Sequence, residues 1–409
     1  MTASPHVAER HLDPLAPGFF DDPYPQYRAA REVAPVHFTD FGAWLVLGHD
    51  DVVHVLRDQT LSVEGEKVGM SRRNAEFEAA LDTTDDRDRR SILDMDPPDH
   101  TRIRRLFQMA FTPRRIEGLA DRIQALVDDA LDAAAGDGSM DVIADLAFPL
   151  PFTVISEMLG MPDGDTHQLR AWSHTLAGTL DPLVEPELIR EAIEASDHMG
   201  RHIEDVIAWK RREPGDDLLS ALIAAEDAGD VLTHQELRNQ VVLLYIAGHE
   251  TTVNLIGNGA LALLRAPDQL ARWHEEPDVG PNAVEELLRY DSPVQFSRRF
   301  TLEDIDVGGV TIPARSLVLT CLGSANHDPA VFGDDADDLR LDRHAAPHHV
   351  SFGNGIHHCV GAALARLEAR LALGTLVQRF PDMTLATDEP AWNGRLVLRG
   401  LDRLPVTLR

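Results

Sequence analysis

The segment Phe352-Gly353-Asn354-Gly355-Ile356-His357-His358-Cys359-Val360-Gly361 decides the reading of this chain. Two glycines two residues apart allow a tight backbone that can approach another group closely. A cysteine follows, and an amphipathic stretch rich in alanine and leucine, Gly361–Arg379, begins directly after it. A sulfur at a helix N-terminus meets unpaired N–H donors and the positive end of the helix dipole, which favour thiolate. Thiolate is the form that ligates a metal. The chain holds only two cysteines, Cys321 and Cys359, which excludes a disulfide framework and any site built from four cysteines. Cys321 reads as a buried structural thiol. For Cys359 the competing readings are another buried thiol, or a zinc site shared with His348, His349, His357 and His358.

Upstream lies a long helical pattern. Thr233 and Glu236 match a capping box, and Leu237, Val241, Leu244, Gly248, Thr251, Leu255 and Gly259 then recur every three or four residues. The pattern runs to Arg265, ahead of Pro267, and predicts a helix of roughly 30 residues, about 45 Å long. Its centre, Ala247-Gly248-His249-Glu250-Thr251-Thr252, puts glycine and paired polar residues mid-helix, where glycine costs about 1 kcal/mol relative to alanine. Something other than helix stability selects them. Two tempting motifs fail here. His249-Glu250 opens like the zinc-protease H-E-x-x-H, but the fifth position is Val253. Gly257-Asn258-Gly259-Ala260-Leu261-Ala262 matches a dinucleotide string, yet it lies inside an apolar helix whose N–H groups are already used.

The chain has 409 residues, 38 of them Lys or Arg against 68 Asp or Glu, for a net charge of −30. That balance argues against nucleic acid or an anionic membrane as the main partner. With 44% apolar residues, material for a large core is ample. The longest apolar run, Val241–Ala247, is too short to cross a bilayer, and Met1–Phe20 lacks the apolar core of a signal peptide. A soluble cytoplasmic protein is expected. Long amphipathic stretches (Ile116–Ala135, Leu188–Arg211, Gly361–Arg379) dominate. Short strands are expected at Val36–Phe38 and Trp44–Leu47, around Val307–Val310, at Ser316–Cys321, and at Met383–Leu385, Leu396–Leu398 and Pro405–Leu408. No repeat or linker divides the chain. The expectation is one domain over residues 1–409, mainly α with small β-sheets.

The cysteine segment resembles the haem-ligand loop of the cytochrome P-450 superfamily, F-G-x-G-x-H-x-C-x-G, at every fixed position. Three further family features occur in order. Glu286-Leu287-Leu288-Arg289 matches E-x-x-R, which the resemblance makes a buried pair completed by a later arginine, Arg340 or Arg343. Ala247–Thr252 matches A-G-x-[DE]-T-T, which implies an oxygen-binding groove where the helix opens near Gly248, with Glu250 and Thr251 relaying protons. His100, Arg104, Arg299 and His349 match cationic residues that hold the haem propionates, Arg298 competing with Arg299. Cys359 is then the proximal ligand, flanked by Phe352 and Gly353, and haem b sits between the long helix and the cysteine loop.

The resemblance implies a haem-thiolate monooxygenase that uses O2, two electrons and two protons to hydroxylate or epoxidise a lipophilic small molecule. Secondary-metabolite tailoring is one such role. A peroxide-driven peroxygenase of the same fold, or a haem sensor or carrier, are the alternatives. The sequence offers no reductase module, so electrons from NAD(P)H are expected through a ferredoxin or flavodoxin and its reductase. Thr101–Ile116 carries five arginines (Arg102, Arg104, Arg105, Arg114, Arg115) and no acid, a patch suited to an acidic donor. By analogy the pocket is lined from Leu61–Leu93, Trp172–Leu188, Leu244, Ala247, Val294, Gln295 and Phe296.

Overall fold

The computed structural model describes residues 12–70, 90–162, 166–182, 185–227 and 232–408. Much of the charged stretch expected along the pocket, residues 71–89, therefore lies outside the described residues. The organising element is the helix His234–Arg265. Its capping box forms as expected: the Thr233 hydroxyl accepts from the Glu236 N–H, and the Glu236 carboxylate accepts from the Thr233 N–H at 2.8 Å. Most of this helix is buried on every side, so its polar side chains must find partners inside the protein. The Asn258 amide donates to the Arg399 carbonyl at 3.1 Å, and His249 Nδ1 donates to the Tyr245 carbonyl at 2.7 Å.

The helices Pro149–Leu159, Pro186–Arg212, Gly280–Tyr290 and Ala362–Arg379 pack around this central helix. Its N-terminal half (Leu237, Val241, Leu244, Tyr245) shares an apolar cluster with Phe107, Met199 and Ile203. Its C-terminal half (Leu255, Ile256, Leu263) shares a second with Trp273, Leu287 and Leu373. One helix thus runs through both cores. A five-stranded sheet orders Val36–Phe38, Trp44–Val46, Leu317–Cys321, Phe296–Thr301 and Leu61–Ser62. The first two form the expected hairpin, with Phe38 opposite Trp44. Ile305–Val307 and Val310–Ile312 form the second.

Some local expectations change. Ile116–Ala135 is divided into Pro113–Glu117 and Ala120–Asp137, with Gly118 between them. Leu396–Leu398 is not a strand, because the Asp181 carboxylate takes the Leu396 and Val397 N–H groups at 2.8 Å each. Val142–Leu159 is long and apolar enough to cross a membrane by composition. Over half of it is buried, and it packs on the central helix as a π-helical turn followed by a helix starting at Pro149.

The E-x-x-R pair settles how the C-terminal part is pinned. Glu286 and Arg289 are fully buried, joined by two charged hydrogen bonds of 2.7 Å. Arg343 Nε reaches Glu286 Oε1 at 3.1 Å, so Arg343 completes the network. Arg340 contributes only its backbone N–H to Glu286, at 2.9 Å, while its side chain pairs with Asp335 and Asp342. Removing one member of a buried ion cluster costs about 3–5 kcal/mol, whereas an exposed pair is worth at most about 1. Thermal unfolding should therefore show a large loss for Arg343→Ala and almost none for Arg340→Ala; equal effects would contradict the assignment.

Candidate active site

Cys359 lies between a short 3-10 turn, Gly355–His357, and the helix Ala362–Arg379. The loop turns back on itself, so the Cys359 N–H donates to the Phe352 carbonyl at 2.9 Å. Gly353 and Gly355 both take φ +68°, and a Cβ on Gly355 would lie 2.5 Å from the Leu56 carbonyl oxygen. Glycine is required there for conformation and for space. The thiol is accessible to solvent, yet burial pushes its pKa up. The Gly361 N–H, the Arg104 and Arg366 charges and the Ala362 N–H pull it down again. A surface both accessible and desolvated is the wall of an internal cavity. Ala247, exposed in the middle of an otherwise buried helix, and partly exposed Thr251 have the same character.

Near the cysteine, positive groups gather without their own counter-charges. Arg299 is buried, and among the described residues its guanidinium donates only to the Ser297 hydroxyl and the Arg298 carbonyl. Desolvation lowers its pKa to about 10. The buried His100 leaves Nε2 unpartnered, and its ring centre lies 4.3 Å from that of His357. Burial drops His100 to about 4, helped by Arg104, and drops His357 to about 3, helped by Arg299 and His100. Arg104 donates to the His358 carbonyl at 2.7 Å. The acid that acts on this group, Asp96, is already bonded by Lys67 at 2.7 Å, by the Val63 N–H at 3.0 Å and by Ser62. Arg298 turns elsewhere, to Asp94 at 2.9 Å.

His349 does not join this cluster. Its Nε2 lies 3.2 Å from Glu285 Oε2, and its Nδ1 accepts the Ser351 N–H at 3.1 Å. Both ring nitrogens are committed, so the expectation that it holds a propionate is corrected. His357 stands in its place. The signal was present in the sequence as the invariant histidine of the cysteine-loop pattern.

On the central helix, burial pushes the Glu250 carboxyl up, but the hydrogen bond and charge of His249, with His174 and Arg395, hold it below the ordinary range. Its oxygens lie 3.5 Å from His249 Nε2, 3.7 Å from Arg395 Nη1 and 3.8 Å from His174 Nδ1. The side chain of His174 is 51% exposed, so the chain of polar groups reaches solvent. The Thr251 hydroxyl donates to the Ala247 carbonyl at 3.2 Å. The helix is continuous through Gly248, where a Cβ would meet Ile155 Cγ1 at 2.8 Å. Gly248 thus admits the neighbouring helix, and the expected opening of the helix there is corrected.

Of the expected pocket residues, Ala247 is exposed and Val294 half-buried. Leu244 is buried in the upper core. Gln295 and Phe296 point away and are corrected: the Gln295 amide donates to the Ser292 carbonyl and the Tyr24 hydroxyl, and Phe296 packs edge-on against Tyr27. Arg102 is also spoken for, bonding both Glu236 oxygens and Asp99. A surface cleft of about 480 Å³ lined by Arg28, His49, Asp51 and His327 contains none of these groups.

The Cytochrome P-450 family profile matches residues 43–280 and 281–393. This chain belongs to the cytochrome P-450 family. It is 43% identical over 403 residues to Cytochrome P-450 107B1 of Saccharopolyspora erythraea, covering 95% of each chain. It is 42% identical over 419 residues to the cytochrome P-450 monooxygenase PikC of Streptomyces venezuelae, covering all of this chain and 96% of that one. The crystal structure of P450BioI with a fatty acid-ligated acyl carrier protein superposes with a TM-score of 0.87 at 37% identity, covering 96% and 100%. A cytochrome P-450 carries haem b, and the donor set fits it: one thiol facing a cavity, and imidazole and guanidinium groups with no acid of their own. A charged hydrogen bond is worth about 1.5–3 kcal/mol, or roughly ten- to hundredfold in affinity. Arg299→Ala or His357→Ala should speed haem transfer to a scavenging globin by that factor. Arg298→Ala should leave haem transfer near wild type.

Proposed function

We propose that Cys359 would ligate the iron of the haem and that His100, Arg104, Arg299 and His357 would hold its propionates. What carries this reading is the set of buried (His100, Arg299) and half-buried (Arg104, His357) cationic and imidazole groups, with no carboxylate at hydrogen-bond distance among the described residues, beside the accessible thiol. Burying a cation alone is costly, so a guest supplying two carboxylates offsets that cost only where the protein withholds its own. The chain is a P-450 monooxygenase, and the bound haem supplies the iron at which O2 is reduced by two electrons. The protein's own part is protonic and geometric. Glu250, held ionised by His249, His174 and Arg395, passes protons inward from the solvent side of His174. The Thr251 hydroxyl, once turned from the Ala247 carbonyl, gives its own proton inward as its oxygen takes the next from the Glu250 side. Ala247 and Val294 border the substrate. A lipophilic small molecule, hydroxylated or epoxidised in secondary-metabolite tailoring, suits that apolar border.

The electron donor on this reading is a separate ferredoxin or flavodoxin, reduced from NAD(P)H. Arg105, Arg114 and Arg115 are exposed, with Met109 59% exposed beside them. An apolar centre ringed by cations fits an acidic protein, on a molecule whose net charge of −30 repels it elsewhere. We read residues 1–409 as one domain in the cytoplasm, supported by the central helix running through both cores.

The ferrous carbon-monoxide spectrum tests the ligand: a thiolate-type Soret band in the wild type, lost in Cys359→Ala, is expected. A wild type without that band overturns the proposal. Thr251→Ala and Glu250→Gln should consume NADPH while forming several-fold less product per electron; full coupling in both would remove the proton path. Charge reversal at Arg105 and Arg115 together should slow reduction by ferredoxin roughly tenfold or more, with substrate-binding spectra unchanged. Unaltered transfer kinetics would remove the docking surface.

A further inference from the structure

Three side chains meet beside the cysteine loop with no part in the roles above: Glu285, His349 and Arg366. Glu285 sits one residue before the buried Glu286, and its carboxylate accepts from Arg366 Nε at 2.6 Å and Arg366 Nη2 at 3.0 Å. His349 adds a third contact, Nε2 to Oε2 at 3.2 Å. Its Nδ1 accepts the Ser351 N–H, so the ring proton stays on Nε2 and is donated to Glu285. Burial holds His349 below the ordinary imidazole range, which keeps that ring neutral. The cluster therefore has one negative and one positive charge. Burial pushes the Glu285 carboxyl up, but the hydrogen bonds of His349 and Arg366 bring it to about 2.

This cluster is mechanically joined to the cysteine. The Arg366 guanidinium lies over the Phe352 ring, 4.5 Å from its centre, and the His349 ring lies 5.7 Å from the same ring. The carbonyl of Phe352 accepts the Cys359 N–H at 2.9 Å. Arg366 is also on the second turn of the helix that Cys359 precedes. Its charge stands on the ring of the residue whose carbonyl holds the cysteine N–H, at the start of the helix that follows the sulfur. Arg104, which bonds the carbonyl of His358 next to the cysteine, has no acid at hydrogen-bond distance among the described residues. The positive charge of Arg366 is opposed by a carboxylate.

We infer that Glu285 and Arg366 are a positioning pair that sets the electron-donating strength of Cys359: Arg366 stabilises negative charge at the sulfur, and Glu285 limits how much. The inference rests on the proposed role of Cys359 as haem ligand. Its sign follows from electrostatics. Reduction of the bound iron adds one electron, which a nearby positive charge favours and a negative charge opposes. Removing the Glu285 charge leaves Arg366 uncompensated, so the reduced state gains. Removing the Arg366 charge leaves Glu285 uncompensated, so the reduced state loses. A purely structural clamp would behave otherwise, because breaking it from either end loosens the same loop.

The test is the reduction potential of haem-loaded full-length protein by spectroelectrochemistry, read with the ferrous carbon-monoxide band. Glu285→Gln should raise the potential, Arg366→Gln should lower it, and the double variant should return close to wild type. Arg366→Lys keeps the charge without the planar stacking on Phe352 and should stay near wild type. Single-variant shifts of the same sign, or no shift in either, overturn the inference. If a glutamine variant fails to hold haem, Glu285→Ala or Arg366→Met replaces it, with the same opposite shifts expected. Shifts of one sign, or none, in those variants overturn the inference. A wild type without a thiolate-type band defeats the ligand assignment itself. A normal band with unmoved potentials defeats only the role of the pair.

Discussion

The placement of the cysteine loop depends on a carboxylate with no exposed surface, Glu286, and the two guanidinium groups that surround it. Charges taken this far from water are tolerated only if nearly every donor finds an acceptor. Arg289 meets the condition: Nε and Nη2 go to Glu286, Nη1 to the Asn326 and Ala336 carbonyls, and Nη2 also to the Asp338 carbonyl. Asn326 passes the constraint onward, its amide donating to the Ser351 hydroxyl and its oxygen accepting the Val350 N–H, both at 2.8 Å. Ser351 in turn donates to the Leu288 carbonyl at 2.7 Å, on the same helix as Glu286. The residues leading into Phe352 and Cys359 are thus tied to one hydrogen-bonded circuit.

Against that circuit, the group around Arg299 shows the opposite treatment of buried positive charge. There the protein gathers imidazoles and guanidiniums, and burial, helped by the neighbouring cations, lowers the pKa of both imidazoles. The difference is one of purpose. A cluster satisfied from within fixes geometry, while one left unsatisfied suits the propionate role proposed for it. The chain as a whole is acidic, so this interior positive group and the exposed arginines near Met109 run against the general field.

The central helix resolves a similar tension in its own way. Two of its buried polar residues, His249 and Asn258, each place a donor nitrogen on a carbonyl nearby, in a mostly enclosed helix that carries Glu250 and Thr251 at its middle. Gly248 belongs to packing, admitting Ile155 against the backbone. A mid-helix glycine is a weak sign of chemistry when a neighbouring helix presses on the same turn.

By itself, the sequence determined what depends on local order. The cysteine at a helix start after two glycines, the capping box at Thr233, the hairpin at Val36–Val46 and the E-x-x-R spacing are all relations between near neighbours, and each appears as read. The tertiary structure decided which of several chemically equal residues does a job. Arg343 rather than Arg340 meets Glu286, because the side chain of Arg340 is taken up by Asp335 and Asp342. His357 rather than His349 joins His100 and Arg299, because Glu285 and Ser351 occupy both nitrogens of His349. Gln295 and Phe296 face Tyr24 and Tyr27, partners about 270 residues earlier in the chain. The physical reason is shared: a side chain's role follows from partners distant in the chain, and a local pattern does not say which partners have already been claimed.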